Sequence, residues 1–185
     1  MIDVIIPNWN GKRHLKDCLD SLRQQSFKSF TVIIVDNGSA DDSVDFLRSQ
    51  YPEVNVIALD ENKGFAGGVN EGIRRSDADL IFLLNNDTVV DPNCLQELSD
   101  AAAKYPDISY FATKMLFRNS PGVINAAGDS FGTDGQGRNI GIRDFDDGRY
   151  DQVAEVFGAC AGAALYRKTF FEDVGLFDED FFLIM

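Results

Sequence analysis

Positive charge is scarce in this chain, and so are histidine and cysteine. Among 185 residues, 17 Lys and Arg face 30 Asp and Glu, leaving a formal charge of −13. That balance argues against a nucleic-acid partner, whose phosphates must be neutralised by Lys and Arg. The single histidine, His14, cannot build a His-based metal site and is expected at the surface, where a first helix begins. Cys18, Cys94 and Cys160 are odd in number, far apart and without a CxxC pair, which argues against a disulfide framework or a zinc centre. Cys18 and Cys94 fall on apolar helical faces and are expected to pack there. No run approaches the roughly 20 apolar residues that a bilayer requires. Met1 leads straight into strand-like sequence, without a basic stretch followed by an apolar one. The expectation is a cytoplasmic protein, with peripheral contact at the inner face of a membrane compatible with it. A G-x-G-x-x-G fingerprint is also missing after the first strand, so a nicotinamide dehydrogenase is a poor reading.

What is present is an ordinary globular composition, 44% hydrophobic and 25% charged, long enough for a single domain with a substantial core. Four apolar runs in the first half each end in a polar cluster. Asp3 to Ile6 ends in Pro7-Asn8-Trp9-Asn10, and Thr31 to Val35 in Asp36-Asn37-Gly38-Ser39. Val54 to Leu59 ends in a glycine-rich stretch over 60–68, and Leu80 to Leu84 in Asn85-Asn86-Asp87. Helical spacing lies between them, as in Leu15, Cys18, Leu19 and Leu22, and again in Leu95, Leu98 and Ala102. Strands alternating with helices predict an α/β fold: a parallel sheet with right-handed crossovers and helices on both faces, which explains strands that are apolar throughout. Ligands of such sheets sit outside the carboxyl ends of the strands, where the topology reverses. Turn chemistry alone accounts for any one polar cluster, since turns favour Asn, Asp, Gly and Ser; all four on one edge point to a site.

Further along, Asp91-Pro92 starts a helix over 93–105, and Ile108 to Thr113 reads as a fifth strand. Residues 117–151 are rich in Gly and Asp and have no steady period, the pattern of a functional flap or a small hairpin. Val153 to Phe157 reads as a strand. The small residues from Gly158 to Ala164 allow close approach of a backbone or a flat ligand, or tight internal packing. Lys168 to Val174 is a short helix. The apolar ending, Phe181 to Met185, is expected to be buried, to pair with a partner or second copy, or to be cut from a longer protein.

Asp87 is the metal candidate. Magnesium and manganese take oxygen ligands and are satisfied with one or two carboxylates, water and substrate phosphates. A diphosphate approaching so acidic a chain needs such a cation, so metal and substrate should bind together. Asp36, at the second strand tip, can accept from a base N–H or a ribose hydroxyl, with the amides of Asn8 and Asn10 beside it; a plain Asp-Asn-Gly turn is the alternative. The run from Asn62 to Asn70 opens a helix whose glycines and N-terminus suit phosphate or sugar.

In order, these motifs, with Gly175-Leu176-Phe177-Asp178-Glu179, resemble family 2 glycosyltransferases of the GT-A fold, particularly the rhamnosyltransferase-like branch. The resemblance spans nearly the whole chain and implies one GT-A domain, with a nucleotide-sugar-binding half over 1–115 and an incomplete acceptor-side half over 116–185. It implies inverting transfer from a nucleoside-diphosphate sugar, dTDP-rhamnose or a UDP-sugar, to a hydroxyl of a glycan or lipid-linked acceptor in polysaccharide or glycolipid synthesis, with Mg2+ or Mn2+. Carried over, Asp36 meets the base with Pro7, Asn8, Asn10 and Ser39 nearby. Asn62, Gly64 and Asn70 line the diphosphate and sugar, and Asn85-Asn86-Asp87 replaces the family's Asp-x-Asp. Asn85 stands where the first acid would be, leaving Asp87 as the metal ligand. The family's Glu-Asp pair, which holds the general base, would follow Met185, so the chain as it stands is expected to transfer sugar poorly. Asp178 more naturally caps a turn than acts as a base. A nucleotidyltransferase is a rival reading, but it would place a glycine-rich basic loop where Asn and Trp stand. A non-catalytic sugar-nucleotide-binding or docking domain is the other.

Overall fold

The first strand buries side chains on both faces: Val4 and Ile6 enter one apolar layer and Ile5 the other. In the computed structural model, which describes residues 1–182, this strand, β1 (Ile2–Asn8), lies near the middle of a six-stranded sheet. Helix α1 (Lys12–Arg23) follows, with Leu15, Cys18, Leu19 and Leu22 buried as their spacing predicts. Next come β2 (Phe30–Asp36), α2 (Ser43–Gln50), β3 (Asn55–Ala58), α3 (Gly64–Arg75) and β4 (Leu80–Leu84). Strands β1 to β4 run parallel, in register from Ile2 beside Phe30 to Asn8 beside Asp36. One face is covered by α1, α2 and α4 (Cys94–Lys104), the other by α3 and later segments. Each fully buried Ile or Leu in these layers contributes roughly 1.5–3 kcal/mol, so the two-sided core is the main source of stability.

The strand order is β3-β2-β1-β4-β10-β5, with β5 at Tyr110–Ala112 and β10 at Ala163–Arg167. The order reverses between β1 and β4, which makes the tips of these two strands the crevice of the sheet. The fold is thus GT-A-like α/β with a mostly parallel sheet, as expected, but β10 is antiparallel to both β4 and β5. Val153 to Phe157 forms no strand; Val153 and Phe157 are exposed at 80% and 68%. The strand lies instead within and just beyond the small-residue run, where Ala163 and Ala164 fit between neighbours. Gly162 packs against Met115 and Asn85, so that run serves internal packing.

Residues 117–151 contain short ribbons, as one of the two expectations had it. Strands β6 (Met115–Leu116) and β7 (Ile124–Ala126) pair, as do β8 (Asp129–Phe131) and β9 (Gly137–Asn139). Lys114 ties the region down through Asp146 at 2.9 Å and Asp151 at 2.5 Å. Helix α5 (Lys168–Val174) follows β10, and Asp178 then makes the expected turn, its carboxylate accepting the Asp180 amide at 3.0 Å. Of the three alternatives for the apolar ending, burial does not hold for Phe181 and Phe182, which are exposed; Leu183 to Met185 lie outside the described residues. Among the described residues, no helix is long and apolar enough to cross a membrane.

Candidate functional site

Asn8 ends β1 with its side chain 1% exposed, and it joins three strand tips. Its Nδ2 donates to Asp36 Oδ2 at 2.8 Å on β2, and its Oδ1 accepts from Asn86 Nδ2 at 2.7 Å beyond β4. The parallel register that sets Asn8 beside Asp36 makes the first bond possible. Asp36 Oδ1 accepts the Ser39 amide at 3.0 Å, Ser39 Oγ accepts the Asn10 amide at 2.9 Å, and Asn10 Oδ1 accepts the Ala40 amide at 2.8 Å. Asn10 sits at φ 49°, a left-handed conformation that Asn tolerates better than most residues. Gly11 must lack a side chain here, because a Cβ would overlap Asn86 Nδ2 and crowd Asn8 Oδ1 at 2.5 Å.

This chain of bonds places Asp36 and Asp87 on one edge of the sheet, Asp87 being the residue after Asn86. Their states differ. Asp36 is 1% exposed with both oxygens engaged inside the protein, so its visible work is to hold Asn8 and the Ser39 turn. Asp87 is exposed and, among the described residues, accepts no hydrogen bond and pairs with no cation. The Asn85 backbone is fixed by Gly162 O at 2.9 Å and by the Thr88 amide at 3.2 Å. Among the described residues there is no cluster of three or more His, Cys, Asp or Glu able to hold a metal. A lone open carboxylate flanked by amides fits a hard cation that draws its other ligands from water and phosphate. Cys18 beneath this edge is not a competing nucleophile: burial, with Asp87 nearby, pushes its thiol up to about 12. Burial likewise pushes Cys94 up to about 11, in keeping with packing roles for both.

The glycine-rich run is a different matter. The Lys63 amide donates to Asn37 Oδ1 at 2.9 Å, the Gly64 amide to Asn62 Oδ1 at 2.9 Å, and the Phe65 amide to Phe182 O at 2.8 Å. Protein acceptors thus already satisfy the start of α3, where a phosphate was expected. Gly64, at φ 75°, lies directly under Phe182, and Gly72 lies directly over Ile5. Both glycines leave room for protein atoms to come close. Asn70 is 1% exposed; its Nδ2 donates to Phe177 O and Glu179 Oε1, each at 2.8 Å, while its Oδ1 accepts the Phe177 amide at 3.0 Å. In this structure Asn62 holds the Gly64 amide and Asn70 clamps the segment after α5; the assignment of Asn62, Gly64 and Asn70 to diphosphate and sugar stays what the family resemblance implies. A Cβ added at Gly68 would reach van der Waals contact with Pro7 at 3.8 Å, so Pro7 lines the packing of β1 against α3.

Two residues escaped sequence reasoning. Asn37, 4% exposed, bonds Gly64 O at 2.8 Å as well as the Lys63 amide, pinning the β2 tip to α3. Trp9, the single tryptophan, is 57% exposed between Asn8 and Asn10. Its place inside the Pro7-Asn8-Trp9-Asn10 strand-tip cluster was the sequence signal available for it.

Comparison with known proteins places the sequence and the fold. An uncharacterised glycosyltransferase of Haemophilus influenzae is 32% identical over 110 residues, 60% of this chain and 37% of the relative. The fold is shared with S. aureus TarS 1-349 in complex with UDP (TM-score 0.72, 18% identity, 98% of this chain and 51% of that one). It is shared also with the mannosyltransferase PcManGT from Pyrobaculum calidifontis in complex with GDP-Man and Mn2+ (TM-score 0.65, 16% identity, 97% and 48%). The chain therefore spans about half of these solved chains and less of the curated relative. The sequence profile described as glycosyl transferase family 2 matches residues 3–175, and the chain belongs to that family.

Proposed function

We propose that this chain forms the donor-binding part of an inverting glycosyltransferase, which moves a sugar from dTDP-rhamnose or a UDP-sugar to a hydroxyl of a glycan or lipid-linked acceptor. The observation that carries this reading is the bonded series Asp36, Asn8, Asn86 across the switch point, which leaves Trp9 and Asp87 open on one edge. Trp9 offers its face to the base, worth about 1–3 kcal/mol for base–aromatic stacking. Asn10 and Ser39 form a polar rim, and Asp36 acts through the residues it holds. Asp87, with the donor phosphates, holds Mg2+ or Mn2+; that ion supplies the positive charge which stabilises the leaving diphosphate. The acceptor proton needs a base. Glu179 is a poor one, since the hydrogen bonds from Asn70 and Arg74 hold its carboxyl below the usual range. Support for the donor class comes from the UDP, GDP-Man and Mn2+ held by the two structural neighbours.

Calorimetry with UDP and dTDP, with and without Mn2+, tests the reading. Binding should require the metal, and Asp87→Asn should weaken it about tenfold or more, the scale of a hydrogen bond to a charged group. Metal-independent binding, or none at all, would count against it.

A further inference from the structure

Asp129 carries a hydrogen-bond acceptor that the rest of the chain leaves unused. Its Oδ1 is closed off from solvent and, among the described residues, has no partner. Burial pushes its carboxyl above the ordinary aspartate range, with no neighbouring charge to offset it. A buried polar group without its bond costs about 1–3 kcal/mol. Such an atom points to a donor that comes from outside the chain.

The backbone around it is firmly set. The Asp129 amide donates to Gly158 O at 2.9 Å, and Asp129 O accepts the Phe157 amide at 3.0 Å and the Gly158 amide at 3.2 Å. Tyr110 holds the same segment, its hydroxyl donating to Phe157 O at 2.6 Å. This pairing brings Phe157 against Phe131, which lies two residues beyond Asp129 and therefore on the same side of β8. The two rings stack with centroids 5.2 Å and planes 21° apart, yet both are exposed. Phe157 and Gly158 also border a groove of about 340 Å3, whose walls include Tyr110, Tyr166 and Phe170. An open apolar plate thus stands beside an unanswered carboxylate.

What fits there must offer an apolar face and hydrogen-bond donors, without negative charge to oppose a chain of −13. The same charge works against a second copy and against an anionic lipid surface. A pyranose meets these terms, because its C–H face covers aromatic rings while its hydroxyls donate around the rim. We infer that Phe131, Phe157 and Asp129 form a saccharide subsite, in which one sugar ring lies on the two phenylalanines and one of its hydroxyls donates to the Asp129 carboxylate. The terminal torsion of Asp is broad, so a small rotation presents either oxygen. Naming that sugar as the acceptor rests on the glycosyltransferase reading, and it makes the acceptor a glycan and not a bare lipid alcohol. The subsite itself needs neither metal nor nucleotide.

Saturation-transfer NMR on the whole chain, with the methyl glycosides of glucose, galactose, rhamnose and N-acetylglucosamine as probes, tests this. At least one glycoside should show transfer to its ring protons. Phe157→Ala and Phe131→Ala should each abolish it, and Asp129→Asn should weaken binding about fivefold, the difference between a charged and a neutral acceptor. Both rings are exposed, so the two alanine variants should keep the wild-type circular dichroism and melting profile. UDP with Mn2+ should leave the transfer in place. Sugar transfer that persists in a chain found to bind no nucleotide would reject the donor reading and keep the subsite. The inference is overturned if no glycoside shows transfer, if any folded variant of the three binds as well as wild type, or if UDP displaces the sugar. It is overturned equally if size-exclusion chromatography finds a dimer that Phe157→Ala dissociates, since the rings would then meet a second copy.

Discussion

Asn8 and Asp87 belong to one edge of the sheet, yet removing them has different consequences. Asn8 is buried between two partners, so Asn8→Ala strands the Asp36 carboxylate and the Asn86 amide together. An unmade buried bond costs about 1–3 kcal/mol, more beside a charge; chemical denaturation should show a loss of at least that order. Asp87 is exposed and unpaired among the described residues, so Asp87→Asn should leave stability within about 0.5 kcal/mol while weakening metal-dependent nucleotide binding about tenfold or more. A large drop in stability for the second variant would mean that Asp87 has a structural duty. Glu179 carries a pH signature of its own. Its carboxyl is lowered by Asn70 and then by Arg74, so its contribution is present above the ordinary glutamate range and is lost as pH falls through the folded value. Glu179→Gln should flatten the acid side of a stability–pH curve, leaving the alkaline side in place.

At the scale of elements, α3 shows where side-chain volume decides. Gly72→Ala would gain up to about 1 kcal/mol of helix propensity, but the new Cβ would overlap Ile5 and approach Val35 Cγ2 at 3.2 Å. Overpacking of this sort costs about 1–3 kcal/mol, so the net effect should be a lower melting temperature, and an unchanged or raised one would refute the close packing. The same helix shows what a sequence can disclose. The faces of α1 and α4 and the runs of β1, β2 and β4 were legible, because apolar periodicity reports burial directly. Glycines in α3 report only that something comes close; whether phosphate, Ile5 or Phe182 does so is set by tertiary packing. Strand β10 hid in a run of small residues, whereas Val153 to Phe157 has strand-forming composition but touches β8 only at its end, where the Phe157 amide donates to Asp129 O at 3.0 Å. Asn8, Asp36 and Asp87 were legible as strand-tip polar residues. That Asp36 would be saturated was not, since it follows from the register of β1 against β2, which sets Asn8 beside it; nor was the exposure of Trp9, which lies beyond that register.

For the whole molecule, the sheet order and the net charge act together. Reversal between β1 and β4 opens the crevice, and a charge of −13 makes it hostile to a diphosphate unless a cation enters with it. The single tryptophan stands at that crevice and reports on it without a label. The most direct measurement is therefore a titration of Trp9 fluorescence with UDP and with dTDP, in Mg2+ and in EDTA, on the wild-type chain and on Asp87→Asn. The expected result is saturable quenching by a nucleoside diphosphate in Mg2+, lost in EDTA and shifted to about tenfold or more higher concentration in the variant. Emission that ignores both nucleotides, or quenching that is the same with and without Mg2+ and Asp87, would contradict it.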